Sequence, residues 1–366
     1  MKLRLLDHLR CLECRAPLAL KDPAVETAER NEATTTRCHG LCGASARRAD
    51  ADHCAACQRI EIVSGELACM SCGAKYPISE GVARLRASRT QDETRPRTAS
   101  SFGYLWAKST PGTEVYETTS YHFAKMEDSL SLAPPHGLVL DAGCGDGIDL
   151  ANQGMREGVE VIGVELSDGG CQASHTRTLA LPRAHVVQAD LCRLPFADGT
   201  FDFVYSYGVL HHIGVPERAL REVVRAAKPG ARVVAYLYED FSERNGALRW
   251  SLTAANWGRA LTTRMPHRLL YTLCVLGSPF VFTLFTVPAL IGRRFERSAS
   301  LAANLPFRHG TGPFSLVGDL YDRFSAPVEW RYSRAGSIKF FVDAGLERVM
   351  AVPERGWMVA GVKPAA

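Results

Sequence analysis

Leu138-Val-Leu-Asp-Ala-Gly-Cys-Gly-Asp-Gly147 decides the fold. Three apolar residues predict a short buried strand, and an acid and three alternating glycines follow at once. Gly143, Gly145 and Gly147 permit a tight turn and let a ligand approach bare backbone. A helix is expected from Ile148. Strand, glycine-rich turn and helix form the opening unit of a doubly wound α/β domain.

The turn carries Asp141 before the glycines and Asp146 within them. A pyrophosphate suits a helix N-terminus, but two carboxylates would repel it. They suit a cation. S-adenosylmethionine carries an ammonium and a sulfonium and no phosphate. The spacing is also G-x-G-x-G, not the G-x-G-x-x-G of dinucleotide loops.

Downstream, strands are expected at 138–141, 159–165, 185–189, 201–207 and 231–238, with helices at 148–156, 168–180 and 216–227. This alternation implies a mainly parallel sheet with ligands at its carboxyl edge. Asp141, Glu165 and Asp190 end the first three strands. A carboxylate ending the second strand can accept both ribose hydroxyls, and one ending the third can accept the adenine amine. Any one acid could instead cap a helix.

The motifs Leu-Asp-Ala-Gly-Cys-Gly-Asp-Gly (140–147), Gly-Val-Glu-Leu-Ser (163–167), Gln-Ala-Asp-Leu (188–191), Leu-Pro-Phe-Ala-Asp-Gly-Thr-Phe-Asp (194–202), Gly-Val-Leu-His-His (208–212) and Lys-Pro-Gly-Ala (228–231) resemble the class I S-adenosylmethionine-dependent methyltransferases. The resemblance covers about 135–240 and resumes near 330. It implies a doubly wound, mainly parallel, seven-stranded Rossmann-like sheet. It also implies that Asp141, Gly143 and Gly145 lie by the methionine part, that Glu165 holds ribose, that Asp190 and Leu191 flank adenine, that Tyr207 and Gly208 approach the sulfonium, and that Gly147, Leu166 and Ser167 belong to the same cofactor site. Ile148-Asp149 stands where the family commonly has Arg or Ala-Gly-Arg.

The chemistry implied is in-line attack on the sulfonium methyl, in which the protein aligns the partners and excludes water. A hydroxyl nucleophile would also need a base. His211 and His212, after the fourth strand, are candidates for that base or for lining the pocket. Tyr238, Glu239 and Asp240 are second candidates on the acceptor side.

Residues 241–328 interrupt the pattern. Leu269 to Gly292 carries no charge and is long enough to span a bilayer, with Arg268, Arg293 and Arg294 at its ends. A single crossing would strand the final helix (336–345) and the last two strands (346–352 and 357–362) on the wrong side. Pro279 and Pro288 predict two short helices. A helical cap over the acceptor site is expected, either buried and substrate-lining or lying in a membrane interface through 269–292. Its apolar character suggests a small or lipid-linked acceptor.

Eight of the twelve cysteines lie in the first 72 residues as close pairs: Cys11/Cys14, Cys38/Cys42, Cys54/Cys57 and Cys69/Cys72. Such pairs point to zinc rather than disulfides. The outer pairs have matching knuckles, Cys-Leu-Glu-Cys-Arg and Cys-Met-Ser-Cys-Gly, and predict one four-thiolate site. The inner pairs, with His39 and His53 nearby, predict a second site nested in the loop. Leu5 to Cys14 with Gly65 to Arg86 resembles the short zinc ribbons found alone or ahead of methyltransferase domains.

The expected organisation is a cysteine-rich zinc ribbon over 1–86, a linker and aromatic lid helices over 87–134, and a methyltransferase domain over 135–366 with its insertion at 241–328. Net charge is +4, with 46% hydrophobic and 22% charged residues. That balance is ordinary for a folded soluble chain and argues against nucleic acid as a partner. The first ten residues hold no signal-peptide core, so a cytoplasmic protein is expected, peripheral at the inner membrane face if 269–292 binds there. A methyltransferase acting on a sugar, quinone or secondary metabolite is the leading expectation. The rivals are an rRNA or tRNA base methyltransferase and a non-catalytic binding module on a degenerate fold.

Overall fold

A computed structural model describes residues 1–30, 57–86, 95–109, 122–244, 246–295, 302 and 305–365. One continuous mixed sheet of eleven strands runs through the molecule. Its methyltransferase-like half has the order β7-β6-β5-β8-β9-β11-β10. These strands are β5 (Gly137–Ala142), β6 (Val159–Glu165), β7 (Ala184–Gln188), β8 (Phe201–Tyr207), β9 (Ala227–Leu237), β10 (Glu347–Pro353) and β11 (Trp357–Val362). The first five are parallel, and β11 enters antiparallel between β9 and β10. Strands buried on both faces read as unbroken apolar runs, and Val-Val-Ala-Tyr-Leu at 233–237 is such a run.

Helices cover both faces. They are α3 (Ile148–Met155), α4 (Asp168–Thr178), α5 (Pro216–Ala226) and α9 (Arg334–Asp343). The local chemistry explains their starts. Ser167 and Ser333 cap α4 and α9 by accepting from the N–H of Gly170 and Gly336 at 3.1 and 3.0 Å. Pro216 occupies the first turn of α5, where its missing N–H costs nothing. Ala219, Leu220, Val223 and Val224 then give α5 one buried face.

The N-terminal strands β1 (Leu18–Thr27), β2 (Ile60–Cys69), β3 (Lys75–Ser79) and β4 (Val82–Arg84) form an antiparallel ribbon. The ribbon does not float on a linker. β4 pairs in parallel with β7, Ala83 opposite Val187 and Arg84 opposite Gln188. Leu5, Leu9, Leu67 and Ile78 share one hydrophobic cluster with Val187, Leu191 and Phe196. Arg15 pairs with Glu222 at 2.8 Å, and Arg193 donates to Leu12 O at 2.6 Å. The buried Lys2 ammonium donates to Ala184 O at 2.7 Å and Thr178 O at 3.1 Å.

Two helices from the aromatic stretch, α1 (Arg95–Trp106) and α2 (His122–Leu130), pack on the core. Residues 95–100, inside the expected linker and lid segment 87–134, form the first turns of α1. The insertion builds α6 (Gly246–Thr262), α7 (His267–Gly292) and α8 (Val317–Ser325). The prolines do not divide α7 into two helices. Pro279 sits inside it, and the helix widens to a π turn at Phe282–Thr286 before Pro288. A widened turn is a common way for a helix to absorb a lost hydrogen bond and run on.

A carboxylate-lined cofactor cleft

Gly143, Gly145 and Gly147 all adopt positive φ (99°, 53° and 82°), so the loop after β5 depends on glycine. Gly145 is also tightly covered: a Cβ there would lie 3.0 Å from the Trp106 ring of α1. The loop is tied to the second strand. The Glu165 carboxylate accepts from Gly145 N at 3.1 Å, and from Ser167 N and Oγ at 2.8 and 2.7 Å. Burial raises its pKa while these donors lower it. Asp141 is buried and accepts from the Tyr205 hydroxyl at 2.8 Å. Its pKa stands well above the ordinary value, because burial and the neighbouring Asp149, Glu165 and Asp146 all disfavour its charge. A cationic ligand would relieve that cost.

Asp146 is already engaged, accepting from the Ser109 hydroxyl and lying 3.5 Å from Arg177. Asp190 at the tip of β7 accepts from Cys192 N at 2.9 Å and pairs with Arg95 of α1 at 3.3 Å.

These tips open on one cleft between the sheet edge and α1. The structure brings Gly143, Gly145, Glu165, Leu166, Asp190, Leu191, Tyr207 and Gly208 to its wall. Asp141, Gly147 and Ser167 stand behind the wall. The opposite side is α1, through Arg95, Thr98, Ala99, Phe102 and Trp106. Phe102 and Trp106 belong to the aromatic segment expected within 87–134. Arg95 and Thr98 were missed, because a short polar stretch gives no sign that its helix will be seated on a sheet edge.

Tyr207 is stacked between His122 and Tyr236, with ring centroids 4.2 and 4.6 Å away. His212 lines the cleft, yet its Nδ1 lies 2.7 Å from Val328 O, and its Nε2 faces Asp322 of α8 at 4.0 Å. His211 is fully buried beside Tyr238, 3.9 Å between ring centroids, and burial pushes its pKa well down. Glu239 is held by Arg244 at 2.7 and 3.0 Å, and Asp240 by Ser242 at 2.9 and 2.7 Å. The Tyr238 hydroxyl points to Asp322 at 3.4 Å.

A second cluster is formed by the two knuckles of the ribbon. The sulfurs of Cys11, Cys14, Cys69 and Cys72 lie within 4.8 Å of one another. Their two knuckles repeat one geometry. Cys11 N donates to Ala16 O and Arg15 N to Cys11 O; Cys69 N donates to Ala74 O and Gly73 N to Cys69 O. Arg15 and Gly73 both have positive φ, 63° and 75°. Four thiolates at this spacing form a tetrahedral metal shell. Cys38, Cys42 and Cys54 of the expected inner set, with His39 and His53, lie outside the described residues; Cys57 is described and partly buried.

The family described as "Methyltransferase domain" matches residues 140–235, and "Trm112p-like protein" matches residues 2–81. The chain therefore carries a class I S-adenosylmethionine-dependent methyltransferase domain. Ahead of it, and fused to its sheet, stands a Trm112p-like zinc-ribbon domain. Curated relatives include "Probable tRNA methyltransferase 9B" of Mus musculus, 29% identical over 41% of this chain and 34% of that protein. The tRNA (carboxymethyluridine(34)-5-O)-methyltransferase of Arabidopsis thaliana is 29% identical over 44% of this chain and 42% of its own. Matches to the first relatives span between 25% and 42% of their lengths. Among solved structures, the complex of the Haloferax volcanii Trm112 methyltransferase activator with a methyltransferase aligns with 16% identity and a TM-score of 0.40. It covers 75% of this chain and all of that one.

Two expectations are corrected here. The small or lipid-linked acceptor rested on an apolar insertion covering the site, but no described residue of 241–328 lines the cleft. The tRNA methyltransferases among the relatives overturn that acceptor. They equally overturn the argument against nucleic acid. A net charge of +4 sums the whole chain and says nothing of local basic surface.

Proposed function

We propose that this protein is an S-adenosylmethionine-dependent methyltransferase whose acceptor is RNA, with tRNA the leading substrate. The observation that carries the reading is the union of a Trm112p-like ribbon and a methyltransferase domain in one sheet, beside relatives named for tRNA methylation. In this reading Glu165 takes the ribose, Asp190 and Leu191 the adenine, and Asp141 with the glycine loop the methionine end. Bound S-adenosylmethionine supplies an electrophilic methyl. Tyr207, Gly208 and the α1 aromatics form the walls that orient the acceptor and keep water out. His212 acts as lining, with Nδ1 at Val328 O and Nε2 facing Asp322, and His211 packs buried behind it. An acceptor that arrives already ionised, such as a carboxylate, needs no base and fits that wall.

Zinc is the metal that four cysteines in paired knuckles suit best, and its role is to hold a small ribbon together. The four ligands in this reading are Cys11, Cys14, Cys69 and Cys72. A cytoplasmic setting follows from the acceptor.

The test is incubation of the full chain with methyl-labelled S-adenosylmethionine and either total tRNA or a lipid and metabolite extract. Label in tRNA is expected. Label confined to the extract would refute the RNA acceptor.

A further inference from the structure

An ordinary surface helix is apolar toward the core and polar toward water. α7 is apolar on both sides. Leu270, Cys274, Ser278, Thr286 and Ala289 are buried, and Leu270 and Cys274 pack with Leu105, Val317, Leu320 and Tyr321 of α1 and α8. Ser278 and Thr286 hydroxyls donate to Pro313 O and Phe307 O. Leu269, Leu273, Leu276, Phe280 and Leu284 recur at intervals of three and four on the other side, 46% to 72% exposed. Over the most apolar window of α7, mean hydropathy is 2.0 and only 22% is buried. The alternative of a buried, substrate-lining insertion is thereby lost. Trp250, Trp257 and Leu261 of α6 are exposed as well.

Charge decides what this face meets. No Asp or Glu occurs from Arg244 to Phe295, whereas seven arginines do. Arg264 and Arg268 precede the apolar run, Arg293 and Arg294 end it, and all four are exposed. Among the described residues none of these four has a carboxylate partner. Two copies meeting through a two-fold axis would oppose arginine to arginine. An RNA would find along the leucine stripe only the Thr272 and Thr283 hydroxyls, both already donated to carbonyls of the same helix. An anionic lipid surface offers both halves: acyl chains for the stripe and phosphates for the arginines at its ends.

We propose that α7 is an in-plane membrane anchor that seats this protein on anionic lipid. It does not span. Its inner side is committed to α1 and α8, and β10 and β11 beyond it return to the same sheet. The cleft takes none of the described residues of the insertion, so docking leaves it open. The inference does not depend on the identity of the acceptor.

The test is flotation of the full chain with vesicles of phosphatidylcholine alone or with about 30% phosphatidylglycerol. Binding at least about tenfold stronger to the mixed vesicles, weakening with salt, is expected. L276E/F280E should abolish it and R268E/R294E should reduce it. S-adenosylmethionine binding and the thermal midpoint, measured beside them, should be unchanged, because every substituted side chain is exposed. No binding to either vesicle overturns the proposal. So does a dimeric mass in sedimentation that L276E/F280E converts to a monomer, since a second copy would then cover the face.

Discussion

At the scale of single residues, Gly145 combines two constraints, a positive φ and a Trp106 ring 3.0 Å from where a Cβ would stand. Gly145→Val should therefore strain the loop and displace one wall of the cleft together. Calorimetry is expected to show S-adenosylmethionine affinity falling by more than about tenfold, the order of a 1–3 kcal/mol backbone cost. His212 makes the opposite prediction. A general base contributes about 10²- to 10⁴-fold to a rate, whereas a wall residue with Nδ1 held at Val328 O and Nε2 turned toward Asp322 contributes by shape. His212→Phe should leave kcat within about tenfold of the parent. A loss of a hundredfold or more, with unchanged cofactor affinity, would make it the base. The residue scale was the most legible in the sequence. Asp141, Glu165 and Asp190 do converge on one edge, because β-strand register puts the tips of adjacent parallel strands side by side. Asp146 was legible as an acid but not as one consumed by Ser109 and Arg177, partners that only the folded chain brings near.

Elements were legible where hydrophobic period and capping agreed. β6, β8 and β11 fall on the residues expected of them, and α3, α4 and α5 begin where their caps and prolines indicate. α7 was misread because proline in a helix is normally a break, and here a π turn absorbs it. Its outward apolar side was left open between core and membrane interface, because leucine periodicity carries no sign of which neighbour exists. The contact between ribbon and core was invisible, since three residues of β4 carry no signal of a partner strand 100 residues away. That contact has a pH signature. His175, beside Gly81, and His185 of β7 are both held down at about 4 by burial, against 6.5 when free. Between those values the unfolded chain binds more protons, so stability is full above about pH 6.5 and falls as pH drops toward 4. Each histidine contributes up to roughly 3 kcal/mol across that window. Thermal denaturation should show the midpoint falling steeply from pH 6.5 to 4.5. A flat profile would mean that these rings are reached by water.

On the scale of the whole molecule, the ribbon and the methyltransferase half form one sheet and share one core, so the metal knuckles act on the stability of both. Removing metal should therefore lower the stability of the cleft as well as of the ribbon. Elemental analysis should find zinc bound to the full chain. Cys14→Ser with Cys72→Ser should lower the thermal midpoint and weaken S-adenosylmethionine binding, although neither cysteine lines the cleft. Unchanged cofactor binding in the metal-free chain would separate the two halves energetically.

Beneath these predictions lies the idea that strand-tip carboxylates form a site for a cationic nucleoside without phosphates. Calorimetric titration of the full chain with S-adenosylmethionine, NAD and ATP, repeated for Asp141→Asn and Glu165→Gln, tests it most directly. One S-adenosylmethionine per chain is expected, with each substitution weakening it by about tenfold or more and neither phosphate-bearing ligand competing, since loss of a charged hydrogen-bond partner costs about 1.5–3 kcal/mol. Binding of NAD or ATP in the same cleft, undiminished by either substitution, would contradict the account.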